Sequence, residues 1–259
     1  MTIHNPNDSS NTRHTLRTIA LAVCVLGSLM ISACDASEPT TIPPTPTTTL
    51  AATTQAPPRS TTSTTTDGRT LAVPAHQPPT IDGVLTADEW AGSVTVTMTD
   101  DSVLHWMHDE NTLYMALESG AVGAVNLLIS TADETLILHS SAALGSALYV
   151  FVSGVWELSH GFDWCCRSAT NDSDRLLLLD EQGWQANIGF AGDEGIVEYE
   201  VTLPWDGAFV AVSYLTDTKT SAFWPADLSS EARDHLIGPP PPERNFNLDE
   251  WYTLVSIED

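Results

Sequence analysis

Between residues 79 and 118 apolar and polar positions alternate in short runs. Val94, Val96 and Met98 alternate with Ser93, Thr95, Thr97 and Thr99, the period of two that a half-buried strand requires. A second run covers 103–108 and a third covers 113–118, with Asp109, Glu110 and Asn111 as the polar turn between them. This predicts a hairpin with a loop of about three to four residues. Further apolar runs at 122–130, 135–139, 147–152, 176–179, 196–203, 209–215 and 251–257 read as strands. The clearest sets Val197, Tyr199, Val201 and Leu203 against Glu198, Glu200 and Thr202, a strand with one wet face. Helical signals are confined to a turn at 86–90, with Thr86 as cap and Glu89 at the capping-box position, and to 228–235. Many short strands punctuated by Gly, Asp and Pro predict an all-β antiparallel sandwich. Gly238 and the prolines from Pro239 to Pro242 have no place in a central strand, so they predict a surface polyproline excursion before the last strand.

Upstream the pattern changes twice. Arg13, His14 and Arg17 precede an apolar run at 19–31, which is shorter than the about 20 residues a spanning helix needs. The layout is that of a secretory signal. Ser32 and Ala33 stand before Cys34, and the run Leu29-Met30-Ile31-Ser32-Ala33-Cys34 resembles a bacterial lipobox. That resemblance implies cleavage before Cys34 and lipidation of its thiol; an ordinary signal peptide with a chance cysteine is the other reading. Asp35 resembles the inner-membrane retention signal of some Gram-negative lipoproteins, which places the protein in the cell envelope, on the outer face of the cytoplasmic membrane. The next stretch is Thr, Pro, Ala and Ser with almost no large apolar residue, too little to offset the entropy of ordering. The expected organisation is a lipoprotein signal peptide over 1–33, a Thr/Pro-rich disordered tether over 34–73 and one sandwich domain over 74–259.

Ile81-Asp82-Gly83, then Glu89-Trp90, then Trp106 before the acidic pair Asp109-Glu110 and Leu113-Tyr114 after it, resemble the start of family 9 carbohydrate-binding modules and the wider DOMON-like sandwiches. Tyr199 to Trp205, YEVTLPW, is similar to a later strand of the same group. The resemblance implies a DOMON-like sandwich, of immunoglobulin-like or jelly-roll type, that binds sugars, haem or neither. It also implies calcium, with Asp82 and Glu89 at the matching positions. Asn171 to Asp174 form a second oxygen-rich stretch without the Gly and distal Glu of an EF-hand. In both places a turn or cap is the competing reading.

Charge narrows the partners. Lys and Arg total 9 against 34 Asp and Glu, a net charge of −25. Such a surface repels nucleic acid and anionic lipid and suits a neutral ligand such as a glycan, so the lipid anchor is the only expected membrane contact. Simple solubility explains the charge equally well. No nucleophile elbow, H-E-x-x-H, P-loop or glycine-rich dinucleotide turn is present, and a non-enzymatic role is expected. His139-Ser140-Ser141 sets a hydroxyl beside an imidazole, but neighbours on a strand point to opposite faces.

The leading candidates for ligand contact are aromatic, because sugar C–H faces stack on indole rings while polar side chains bind hydroxyls. Of eight Trp, Trp156, Trp164, Trp184 and Trp224 stand in polar, loop-like company; with Trp106 and Arg167 they form the expected saccharide-binding set. Trp90 and Trp251 are expected in the core. Cys165 and Cys166 are adjacent and admit a vicinal disulfide, free thiols or an intermolecular bridge. The rival function is b-type haem between Met and His ligands, with Met107, His108, Met115 and His139 as donors, but no C-x-x-C-H for covalent attachment. A structural envelope protein without a small ligand is the third reading.

Overall fold

A computed structural model describes residues 69–166, 172–191, 194–216, 221–229, 233 and 239–258. Among these the chain forms two sheets, as the alternating pattern predicts, in an all-β architecture. The smaller sheet takes β2 (Val94–Thr97), β3 (Val103–Asp109), β4 (Thr112–Ser119), β9 (Trp184–Ala191) and β10 (Glu194–Val201) in the order β2-β3-β4-β10-β9. The larger takes β1 (Thr70–Pro74), β5 (Gly123–Ser130), β6 (Glu134–Ser140), β7 (Leu144–Val152), β8 (Val155–Trp164), β11 (Phe209–Thr216), β13 (Glu243–Arg244) and β14 (Tyr252–Ile257). Their order is β1-β14-β11-β5-β6-β7-β8-β13, and β12 (Ser221–Trp224) pairs with β11. All pairings are antiparallel except β1 with β14.

The main core lies between the sheets. Leu104, Trp106, Leu113, Met115 and Leu117 from the smaller sheet join Val125, Leu127, Ile129, Leu138, Val210 and Val212 from the larger. Tyr199 of β10 reaches across, and its hydroxyl donates to the carbonyls of Val125 (3.0 Å) and Leu138 (3.2 Å). The larger sheet is covered on its other face as well. There Leu128, Ile137, Ala147, Tyr149 and Ala211 pack with Trp156, Phe246 and Trp251. Double coverage is why β5 reads as a nearly unbroken apolar run. The polyproline excursion contributes to this layer. Pro241 O accepts from the Tyr149 hydroxyl (2.9 Å), Pro242 O accepts from Leu158 N–H (2.8 Å), and β13 then pairs with β8.

Four expectations change. Strand β1 lies in the stretch read as tether, because Leu71 and Val73 point into the core and pair in register with β14. The Leu176–Leu179 run is not a strand but the middle of α1 (Asp172–Gln182). Acidic residues open that helix, and Gly183, at φ 74°, ends it by donating its N–H to Leu179 O (2.9 Å). Four leucines are too few for periodicity to separate helix from strand. The hairpin between β3 and β4 has two loop residues, Glu110 and Asn111, because Asp109 and Thr112 pair directly. Strands β8 and β9 occupy regions read as loop. The turn at 86–90 forms as expected, with Trp90 N–H donating to Thr86 O (3.3 Å).

Candidate functional site

One buried carboxylate gathers three of the segments that carry the family resemblance. Glu198 on β10 is fully buried, although the alternation places it on the wet face. The turn at 81–90 folds over that face and covers it. Glu198 Oε2 accepts the backbone N–H groups of Asp82 (3.0 Å) and Gly83 (2.7 Å), and Oε1 accepts the indole N–H of Trp90 (3.1 Å). Gly83 has φ 81°, and a Cβ there would lie 2.7 Å from Gly189 N; a Cβ on Gly189 would lie 1.6 Å from Gly83 O. Both glycines are therefore required for the turn to lie directly on β9. Burial pushes the Glu198 carboxyl up to about 7; the bonds from Gly83 and Trp90 pull it down, and the charge of Asp82 adds to the rise. The carboxylate acts as a clamp between a turn and a strand, with its oxygens directed at protein donors.

The two candidate metal ligands sit in this turn. Asp82 Oδ1 accepts from Val84 N–H (2.9 Å), an Asx-type turn. Glu89 accepts from the Thr86 hydroxyl (2.6 Å) and Thr80 N–H (3.4 Å), and these bonds hold its carboxyl below the usual range. Among the described residues, no three His, Cys, Asp or Glu side chains come together in a group that could hold a metal ion. Asp172 and Asp174 of the second oxygen-rich stretch belong to the first turn of α1, and Asn171 lies outside the described residues.

The five candidate tryptophans separate sharply. Trp106 and Trp184 are fully buried, and Trp156 and Trp224 are 3% and 5% exposed. Trp224 packs against Trp106 (5.8 Å between ring centres) and stacks on Tyr252 (4.6 Å). Trp184 stacks on Tyr199 (6.2 Å), and Trp156 donates its indole N–H to Phe246 O (3.2 Å). Their faces are taken by protein, so the structure removes these four from the expected ligand surface. Each lies on a strand with a partner layer on the side its ring faces, which no sequence neighbour announces. Trp90 and Trp251 are buried as expected, at 4% and 1%. Arg167 lies outside the described residues.

Trp164 is the exception, at 46% exposed. It ends β8 opposite Gly145 of β7, and its indole lies flat on that glycine: a Cβ at Gly145 would be 2.7 Å from Trp164 Cε3. An aromatic ring covering a cross-strand glycine is a recurrent sheet-stabilising device. Phe162, two residues back on the same face, stacks with Trp164 at 4.8 Å and 27°. Beneath them His139 meets Trp164 edge-on at 5.2 Å and Phe162 at 5.6 Å. His139 is itself buried, and its Nδ1 donates to Asn126 Oδ1 (2.7 Å), while Asn126 Nδ2 donates to Ser213 Oγ (3.4 Å). The row Ser213, Asn126, His139, Gly145, Trp164 crosses five strands in register. Asp163, exposed, precedes Trp164 on β8 and so points to the opposite face of the sheet; Cys165, also exposed, follows it and is disulfide-bonded to Cys166. The row was invisible in the sequence, because register alone brings its members together.

The remaining candidates are dispersed. Met107 packs with Trp90, Tyr114 and Ala116, Met115 lies between the sheets, and His108 packs on Trp205 (5.2 Å). Ser140, beside His139 in sequence, is buried on the opposite face. A cavity of about 400 Å³ lined by His76, His108, Asp109, Glu110 and Glu258 contains none of the expected sugar-binding residues. Comparison with known proteins finds no family model, no curated protein and no solved structure that matches this chain.

Proposed function

We propose that this protein is a non-catalytic saccharide-binding domain, of the kind that the family 9 resemblance implies, carried by a cell-envelope lipoprotein. In this reading Cys34 holds the anchor on the outer face of the cytoplasmic membrane. The observation that carries the binding proposal is Trp164, a large, exposed indole fixed in orientation by Gly145 below, Phe162 beside it and His139 at its edge. A rigid aromatic face offers C–H stacking to a pyranose ring at little entropic cost. The charge of −25 disfavours anionic polymers and leaves neutral ones as the matching class.

The test is retention of the full chain on cellulose, xylan, chitin and mixed-linkage glucan in affinity electrophoresis. Retention on one of them that falls at least about tenfold in Trp164→Ala supports the reading. Retention that survives the substitution, or none on any polymer, overturns it. Repeating the run with chelator decides whether calcium braces the site: unchanged retention removes the metal from the proposal.

A further inference from the structure

Immediately after Trp164 in the chain lies a bond whose covalent loop contains only the two residues it joins, Cys165 and Cys166. Stabilisation by a cross-link grows with the length of chain enclosed, so a bond between neighbours adds almost nothing to global stability. Its effect is local, on the backbone of those two residues. Both of them hydrogen-bond with one residue of β7: Cys165 N–H donates to Leu144 O (3.0 Å), and Leu144 N–H donates to Cys166 O (2.8 Å). The residue after Leu144 is Gly145, on which the Trp164 indole rests. Fixing the peptide at 165–166 therefore fixes the last pairing of β8 and the seat of Trp164. The two sulfurs differ in access: Cys165 is exposed, whereas Cys166 is 8% exposed and packs with the main core. An attacking thiolate meets Cys165 first.

We propose that Cys165–Cys166 is a reversible redox site that sets the position of Trp164. It rests on the saccharide-binding reading for its consequence, and on the strand geometry alone for its operation. Closed, the disulfide holds the end of β8 against Leu144. Opening it requires a dithiol. One thiolate of that reductant attacks Cys165 Sγ, the sulfur–sulfur bond breaks, and Cys166 leaves as a thiolate that takes up a proton. The second thiol of the reductant then displaces Cys165 from the mixed disulfide. The protein gains two electrons and two protons, and the reductant becomes a disulfide. A disulfide oxidant such as oxidised glutathione reverses both steps. With the ring open the peptide at 165–166 regains rotational freedom, the two bonds to Leu144 fray, and Trp164 leaves Gly145.

The experiment is hydrogen exchange at the amides of Leu144 and Cys165 in the full chain, before and after dithiothreitol, with alkylation of the Cys165-Cys166 peptide read by mass. The expected result is a peptide that resists alkylation as isolated and takes two labels after reduction. Exchange at both amides should rise at least about tenfold, β3 and β4 should not change, and oxidised glutathione should restore the slow rate. The C165S/C166S double variant should match the reduced protein whether or not dithiothreitol is present. Cysteines already free as isolated, or amides that do not respond, overturn the proposal. Exchange that rises equally in β3 and β4 also overturns it, since the bond is then a global staple. Retention on the polysaccharide that the oxidised chain binds should fall on reduction, and unchanged retention overturns the link to binding. If no polysaccharide is retained by the oxidised chain, the saccharide reading fails while the exchange result still decides the redox site.

Discussion

Trp90 and Trp164 each follow an acidic residue, and the fold uses them in opposite ways. Trp90 is 4% exposed, with its indole N–H on Glu198. Trp164 is 46% exposed and presents a ring held from below and from the side. The first belongs to a clamp that closes a turn on the smaller sheet; the second belongs to a surface that the larger sheet keeps open. An aromatic residue is free for a ligand only where no other segment arrives to cover it. That depends on segments distant along the chain, as Glu198 is from Trp90, not on adjacent residues.

Breaking the clamp should have the largest effect on stability. Glu198→Ala orphans the amides of Asp82 and Gly83 and the indole of Trp90, each costing about 1 kcal/mol or more, so urea denaturation should show a loss of about 3 kcal/mol. The pH dependence tests the same group. Its folded pKa of about 7 lies above the unfolded value near 4.5, so its contribution is fully present below 4.5 and is lost as pH rises through 7. Stability should fall by up to about 3 kcal/mol across that window from this group, and Glu198→Gln should flatten the fall. Gly83→Ala forces a Cβ toward the Gly189 backbone at φ 81° and should cost about 1–3 kcal/mol, read as a lower thermal midpoint. Trp164→Ala should be the mildest, about 1 kcal/mol or less in stability, because half of the ring is already in water.

The alternating segments were legible because their pattern is local. Strands β2 and β10 follow from period-two runs, β3 and β4 from short apolar runs about a polar turn, and the burial of Trp90 and Trp251 follows from apolar neighbours at element edges. Strand β8 was not legible. Its sequence, VWELSHGFDW, carries polar residues because most of it is exposed, and its outer partner β13 arrives from residues 243–244. Trp106, Trp156, Trp184 and Trp224 were misplaced for the same reason: what buries each is Tyr252, Phe246, Tyr199 or another tryptophan brought by topology. Glu198 reads as a wet position in its strand, and only the overlying turn reverses that. The vicinal cysteines were visible as a pair, whereas the Leu144 contacts that give them a role come from strand pairing.

The comparison is tested most directly by measuring polysaccharide retention and urea midpoint side by side for the full chain, Trp164→Ala and Glu198→Ala. The account predicts that Trp164→Ala loses retention with its midpoint nearly unchanged, while Glu198→Ala keeps retention with a lowered midpoint. Retention that follows the midpoint in both variants, or that survives the loss of Trp164, contradicts the assignment of the exposed indole to binding and the buried one to the fold.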